Sequence, residues 1–175
     1  MKTFTVCTIL IFCCLAIGCG IAGHYIQSTN SMSPTIGIGD HFTTIEIKNN
    51  DINPIKRFDI VVYKPQPSKE KIGLDEKTKF AHRVIGMPNE KIEIKRDEIY
   101  INDKLLNESS FEKNVGGIDF PATSIPENEY FLLGDNRPNS LDSRYWIKPT
   151  IKREDIYGKV TKIVRKEDYD KGKRW

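Results

Sequence analysis

Apolar and polar positions are distributed in two ways along this chain. From Thr3 to Gly23 no side chain is charged, whereas from His24 onward short apolar runs are broken by polar residues, glycines and prolines. As a helix rising about 1.5 Å per residue, the first stretch reaches roughly 30 Å, enough to cross the hydrocarbon core of a bilayer once. Lys2 precedes it and the next lysine is Lys48. The positive-inside bias then leaves the N-terminus in the cytoplasm and residues 24–175 outside. Ala16-Ile17-Gly18 and Gly20-Ile21-Ala22 also fit the small-x-small pattern of a processing site, so the segment alone is compatible with either an anchor or a removed signal.

Beyond the segment the pattern is that of strands. Phe42 to Ile47 alternates, Asp59 to Tyr63 is short and β-branched, and Lys91–Lys95 followed by Glu98–Ile101 predicts a hairpin turning at Arg96-Asp97. Phe80–Ile85, Tyr130–Leu133 and Tyr157–Val164 complete the predicted set. No stretch after residue 24 has the length and 3.6-residue period of a helix. Asn107 to Asn128, with Gly116, Gly117, Pro121 and Pro126, reads as an irregular excursion. The fold class expected is mainly β: an antiparallel β-sheet catalytic domain over 24–175 behind a single N-terminal transmembrane helix over 1–23.

Charge and cysteine usage narrow the chemistry. The 27 basic and 24 acidic residues leave +3 and are interspersed, so a nucleic-acid partner is not expected. The densest basic stretch, Arg165 to Arg174, is diluted by Glu167, Asp168 and Asp170 and reads as a solvated face with at most weak contact to anionic lipid. All four cysteines lie in the first twenty residues, so the polar part has neither a disulfide staple nor a cysteine metal site, and no cofactor or metal is expected.

Three motifs carry candidate chemistry. "STNSMSPTIGIGD" puts Ser31 a few residues beyond the apolar segment; "RFDIVVYKP" and "FAHRVIGMPNEKIEI" form a pair of strands; "FLLGDNRPNSLDSRYW" supplies a polar box. Taken in this order, with the ending "DIYGKVTKIV", they resemble the type I signal peptidases over nearly the whole polar domain. The resemblance implies a membrane-bound serine endopeptidase that cleaves signal peptides from exported preproteins at the outer face of the cytoplasmic membrane. Its partners would be preproteins with small residues near the cut, the bilayer and secretion machinery. It also implies roles: Ser31 as nucleophile, with the Ser31 amide and Thr29 hydroxyl binding the oxyanion. A dedicated peptidase for a pilin or secretion-system subunit and a non-catalytic signal-peptide binder are the alternatives.

The departure from the family pattern is His82, which stands where bacterial members carry the lysine base and where the endoplasmic-reticulum members carry histidine. A serine needs such a base. Unperturbed histidine, near 6.5, is already largely neutral at pH 7, so orientation matters more to it than burial, and a rate rising through a pKa around 6 to 7 is expected. Asp142 is the first choice to orient the ring, as in a serine-histidine-aspartate triad, with Asp135 as the alternative. Ser140 either orients the base or caps its loop, Arg144 pairs with an aspartate, and Asp135 and Asn136 make a turn. Strand alternation places Phe80, His82 and Val84 on one face and Lys79, Ala81 and Arg83 on the other, which turns Lys79 away from the site. His24 and His41 have no motif around them. Phe42, Ile85, Phe131, Tyr145 and Trp146 suit either a core or an apolar edge dipping into lipid.

Overall fold

The computed structural model describes residues 21–47, 54–67 and 78–175. The expected membrane segment lies outside these residues except for Ile21–Gly23, which open a strand and are not helical. Among the described residues no helix is long and apolar enough to cross a membrane.

Among the described residues eleven strands are formed: β1 (Ile21–Ile26), β2 (His41–Glu46), β3 (Ile60–Tyr63), β4 (Phe80–Gly86), β5 (Lys91–Lys95), β6 (Glu98–Ile101), β7 (Lys104–Leu105), β8 (Phe120–Ser124), β9 (Glu129–Leu133), β10 (Ile151–Lys152) and β11 (Ile156–Val164). They make a seven-stranded sheet in the order β1-β2-β11-β3-β4-β9-β10 and a four-stranded sheet in the order β7-β6-β5-β8. All strand pairs within the two sheets are antiparallel. The mainly β, antiparallel class read from the sequence is therefore what forms.

Local chemistry explains the small sheet. Lys95 pairs with Glu98 across Arg96 and Asp97, whose φ of 50° and 68° give the doubly left-handed turn that closes a two-residue hairpin. Asn102-Asp103 repeats the device, with φ of 50° and 67°, to start β7. The strand β8 forms inside the stretch expected to be irregular. It lies at the sheet's edge, where Pro121 costs no central ladder bond.

The large sheet is buried on both faces, and side-chain alternation sorts its residues into two groups. Val61, Tyr63, Val84, Tyr130 and Leu132 share one cluster with Trp146 and Ile151. Ile60, Val62 and Ala81 face the other way, onto Met32, Ile36 and Phe42. A third cluster, with Ile85, Phe131 and Leu133 against Ile92, Ile94, Ile99 and Ile101, joins the two sheets. Of the aromatics left open between core and lipid, Phe42, Phe131 and Trp146 are buried, as is Ile85.

The basic C-terminal stretch is largely exposed, as expected of a solvated face, and is docked at its start. Asp40 accepts from Arg165 Nη1 at 2.7 Å and from the Lys166 amide at 2.8 Å. The five-residue helix α1 (Lys166–Asp170) stacks Tyr169 on His41 with ring centroids 3.5 Å apart. His24 Nε2 lies 2.9 Å from His41 Nδ1.

Leu132 is fully buried on β9, on the face of the sheet that carries His82 on β4. Leu132→Ala is expected to cost about 2–5 kcal/mol of folding stability by leaving a cavity. Urea unfolding followed by tryptophan fluorescence checks this.

Candidate active site

Ser31 sits in a tight turn between β1 and β2. Met32 and Ile36, both fully buried, pin the turn on the Val62–Ala81 face of the sheet. The Ile36 amide donates to the Met32 carbonyl at 2.9 Å, closing one turn of backbone. Ser31 itself is half-buried, with its Oγ 3.2 Å from Thr29 Oγ1. Gln27 Nε2 donates to the Thr29 carbonyl at 3.1 Å and to Thr29 Oγ1 at 3.3 Å, which occupies a lone pair of that hydroxyl and leaves its hydrogen free to point toward Ser31.

The polar box between β9 and β10 is held against this turn. The Asn136 amide donates to the Ser31 carbonyl and Asn136 Nδ2 to the Asn30 carbonyl, both at 3.0 Å. Gly134 lies so close that a Cβ there would come within 2.5 Å of the Ser31 carbonyl oxygen and 2.2 Å of Ser140 Oγ. Asp135, fully buried, takes a bidentate pair from Arg83 at 2.8 and 2.6 Å and accepts from the Thr35 hydroxyl at 2.5 Å. Strand, box and serine turn are thereby tied at one carboxylate. Loss of either partner of such a buried pair leaves an uncompensated charge, which costs about 3–5 kcal/mol.

His82 enters from β4, where it pairs with Val61 and is almost fully buried. Tyr63, two residues beyond Val61 on β3, brings its hydroxyl to 2.7 Å from His82 Nδ1. Ser140 Oγ lies 3.3 Å from His82 Nε2. The Asp142 carboxylate is engaged elsewhere: it accepts from Arg144 Nε and Nη2 at 2.8 Å each, from the Arg144 amide at 3.3 Å and from the Gly134 amide at 3.1 Å. Asp135 is likewise taken by Arg83. Among the described residues, the ring nitrogens of His82 therefore meet two hydroxyls and neither of the carboxylates expected to orient them.

Burial pushes the His82 pKa down to about 4, against the opposing pull of Asp142 and Asp135 and helped by Arg144. The ring is thus neutral well below the range of 6 to 7 expected from sequence; desolvation outweighs the nearby carboxylates. Burial, reinforced by Asp142, raises Tyr63 well above the usual phenol value and keeps its hydroxyl protonated. Burial alone would lower Arg144, but the hydrogen bonds it donates to Asp142, and that carboxylate's charge, hold it raised.

Ser31, Thr29 and His82 line one cleft of about 450 Å³, whose walls include Tyr25, Phe42, Val62 and Ala81. The serine turn and the ring approach it from different faces of β4, and the Gly134–Ser140 contact is where they meet. Lys79, just before β4, reaches the rim of the same cleft but lays its Nζ 3.5 Å from the centroid of the Tyr157 ring. Gln27 and Tyr63 are the residues that reading the sequence missed. Tyr63 looks like an ordinary strand aromatic, and only the β3–β4 register brings it to His82. Among the described residues no cluster of histidine, cysteine and carboxylate side chains is suited to a metal ion.

Comparison with known proteins identifies the family. The family model described as signal peptidase, peptidase S26, matches residues 1–164. The probable signal peptidase I-2 of Synechocystis is 31% identical over 78% of this chain and 59% of its own length. Signal peptidase I P of Bacillus subtilis subsp. natto is 33% identical over 77% of this chain and 72% of its own. Signal peptidase I of Bacillus caldolyticus is 32% identical over 80% and 78%. A crystal structure of a signal peptidase I from Enterococcus faecalis is 33% identical, with a TM-score of 0.49 over 63% of this chain. The matched region thus spans from about three fifths to about three quarters of these curated relatives. Matched over nearly its whole length, the chain belongs to the signal peptidase family, peptidase S26.

Proposed function

We propose that this protein is a serine endopeptidase that removes signal peptides from exported preproteins, and that Ser31 and His82 perform the chemistry. The observation that carries this reading is that both residues line one apolar cleft, in which burial lowers the His82 pKa to about 4. Ser31 Oγ attacks the scissile carbonyl. His82, in the tautomer that leaves Nε2 unprotonated, takes the serine proton on the side where Ser140 stands and returns it to the leaving amine. The Ser31 amide and the Thr29 hydroxyl, itself oriented by Gln27, stabilise the oxyanion. Asp142 acts at a distance by holding the box through Arg144 and the Gly134 amide.

The walls made by Tyr25, Phe42, Val62 and Ala81 suit an extended apolar segment with small side chains beside Ser31. The charge-free N-terminal stretch supplies the anchor in this reading, with the peptidase domain on the extracytoplasmic side of the cytoplasmic membrane. Full-length protein is then expected to sediment with membranes and to be digested by protease added from outside the cell membrane. A soluble product beginning near Gly23 would contradict the anchor.

Incubation of the detergent-solubilised protein with a preprotein is the direct assay. Wild type is expected to release the signal peptide, Ser31→Ala to release none, and His82→Ala to lose at least about a hundredfold in rate. Cleavage that persists in Ser31→Ala would defeat the reading.

The burial of His82 also sets a pH dependence. Tyr63 and Ser140 face its nitrogens, and Asp142, Asp135 and Arg144 surround it. Because the folded pKa is lowered to about 4, the rate term due to His82 should be flat near neutrality and fall only as pH drops toward that value. The unfolded chain takes up the proton first, near pH 6.5. The stability due to a neutral His82 is therefore full above roughly pH 6.5 and is lost as pH falls toward 4. Initial rates and urea midpoints from pH 4 to 8 check both; a half-maximal rate near pH 6.5 would show the ring to be solvated.

A further inference from the structure

The wiring of His82 has a feature that the cleavage reading does not use: both ring nitrogens face hydroxyl groups, and the two hydroxyls are not equivalent. The Tyr63 hydroxyl is buried, and His82 Nδ1 at 2.7 Å is its one hydrogen-bond partner among the described residues. Asp142, whose charge acts on Tyr63, already accepts four bonds from Arg144 and the Gly134 amide. The Trp146 ring packs on Tyr63 with centroids 5.5 Å apart, but its Nε1 is a donor without a partner and accepts nothing. The Tyr63 hydrogen therefore has a single satisfied position, on the Nδ1 lone pair. Phenol is also the stronger donor and imidazole nitrogen the stronger acceptor, so the bond favours that direction on chemistry as well.

A neutral ring that accepts at Nδ1 carries its own proton at Nε2 and directs it toward Ser140 Oγ. That tautomer cannot receive the proton of Ser31 at Nε2. The alternative, with Nδ1–H donating to Tyr63 Oη, frees Nε2 but leaves the buried Tyr63 hydrogen without an acceptor, a penalty of about ten- to a hundredfold in population.

We propose that Tyr63 is a positioning residue that stores His82 in the Nε2–H tautomer, so that the base-competent form is a minor state of the free protein. The proposal rests on the reading of His82 as base. No bond is made or broken in it beyond the internal shift of the ring proton from Nε2 to Nδ1, with Tyr63 protonated throughout. The ring is held by packing against Tyr63 and Phe80 in either tautomer, so loss of the hydroxyl alters proton placement more than ring position.

Tyr63→Phe keeps that packing and removes the hydroxyl. With only three histidines in the chain, ¹⁵N-labelled full-length protein in detergent gives a short ring spectrum, in which His24 and His41 are identified by replacement. At pH 7 wild-type His82 should show the protonated-nitrogen shift at Nε2 and the unprotonated shift at Nδ1. In Tyr63→Phe the two shifts should move toward each other as the Nδ1–H form becomes populated. In the preprotein assay kcat should rise by roughly three- to tenfold with KM within about twofold, because more of the base is competent while the cleft is unaltered. A wild-type ring protonated at Nδ1, shifts unchanged by Tyr63→Phe, or a kcat lowered tenfold would each overturn the proposal. The wild-type spectrum decides the resting tautomer even where the variant does not fold. If no preprotein is cleaved, the spectra still decide the Tyr63–His82 bond, and the cleavage reading fails alone.

Discussion

The absence of a side chain at Gly134 is the constraint on which the site depends. The Ser31 carbonyl and the Ser140 hydroxyl both press into the space a methyl group would fill. Around that contact the Asn136 amide holds the Ser31 carbonyl, while the Asp142 carboxylate holds the Gly134 amide from behind. The serine turn belongs to the Met32–Ile36 face of the large sheet and the histidine to the Tyr63–Trp146 face. At Gly134 the backbone lies against both the Ser31 carbonyl and Ser140, whose hydroxyl faces His82 Nε2.

The buried aspartates serve this constraint structurally. Asp135 joins β4, through Arg83, to the serine turn, through Thr35, and Asp142 joins the box to itself through Arg144. Each carboxylate is spent on an arginine, so the histidine is left with hydroxyl partners and a dry environment. Desolvation then lowers the His82 pKa to about 4. Burial disfavours the charged form of the ring, and Tyr63 supplies the polar contact at its Nδ1.

Much of the architecture was legible in the sequence, because period-two alternation and turn chemistry are local. Lys91–Lys95 and Glu98–Ile101 form with the boundaries expected, since Arg96-Asp97 fixes both the turn and the register. The strand β8 was hidden by Pro121 and by an exposed pattern that only an edge position explains. Ser31 and His82 announced themselves through motifs. The partners of His82 did not, because the acid expected from its place as the box's second aspartate is already committed to Arg144, and which side chain reaches Nδ1 depends on how β3 and β4 are paired. Burial was the quantity hardest to foresee: nothing in "FAHRVIG" distinguishes a ring exposed at the mouth of a cleft from one almost fully buried in its wall.

If the Gly134 contact is what aligns the serine with its base, Gly134→Ala is the variant that tests it most directly. Circular dichroism would report whether the sheet persists, and preprotein cleavage by the solubilised enzyme would report alignment. The account predicts a folded protein whose cleavage rate is lower by about a hundredfold or more, as expected when reacting groups are displaced by an ångström or so. A folded Gly134→Ala protein that cleaves at the wild-type rate would contradict it.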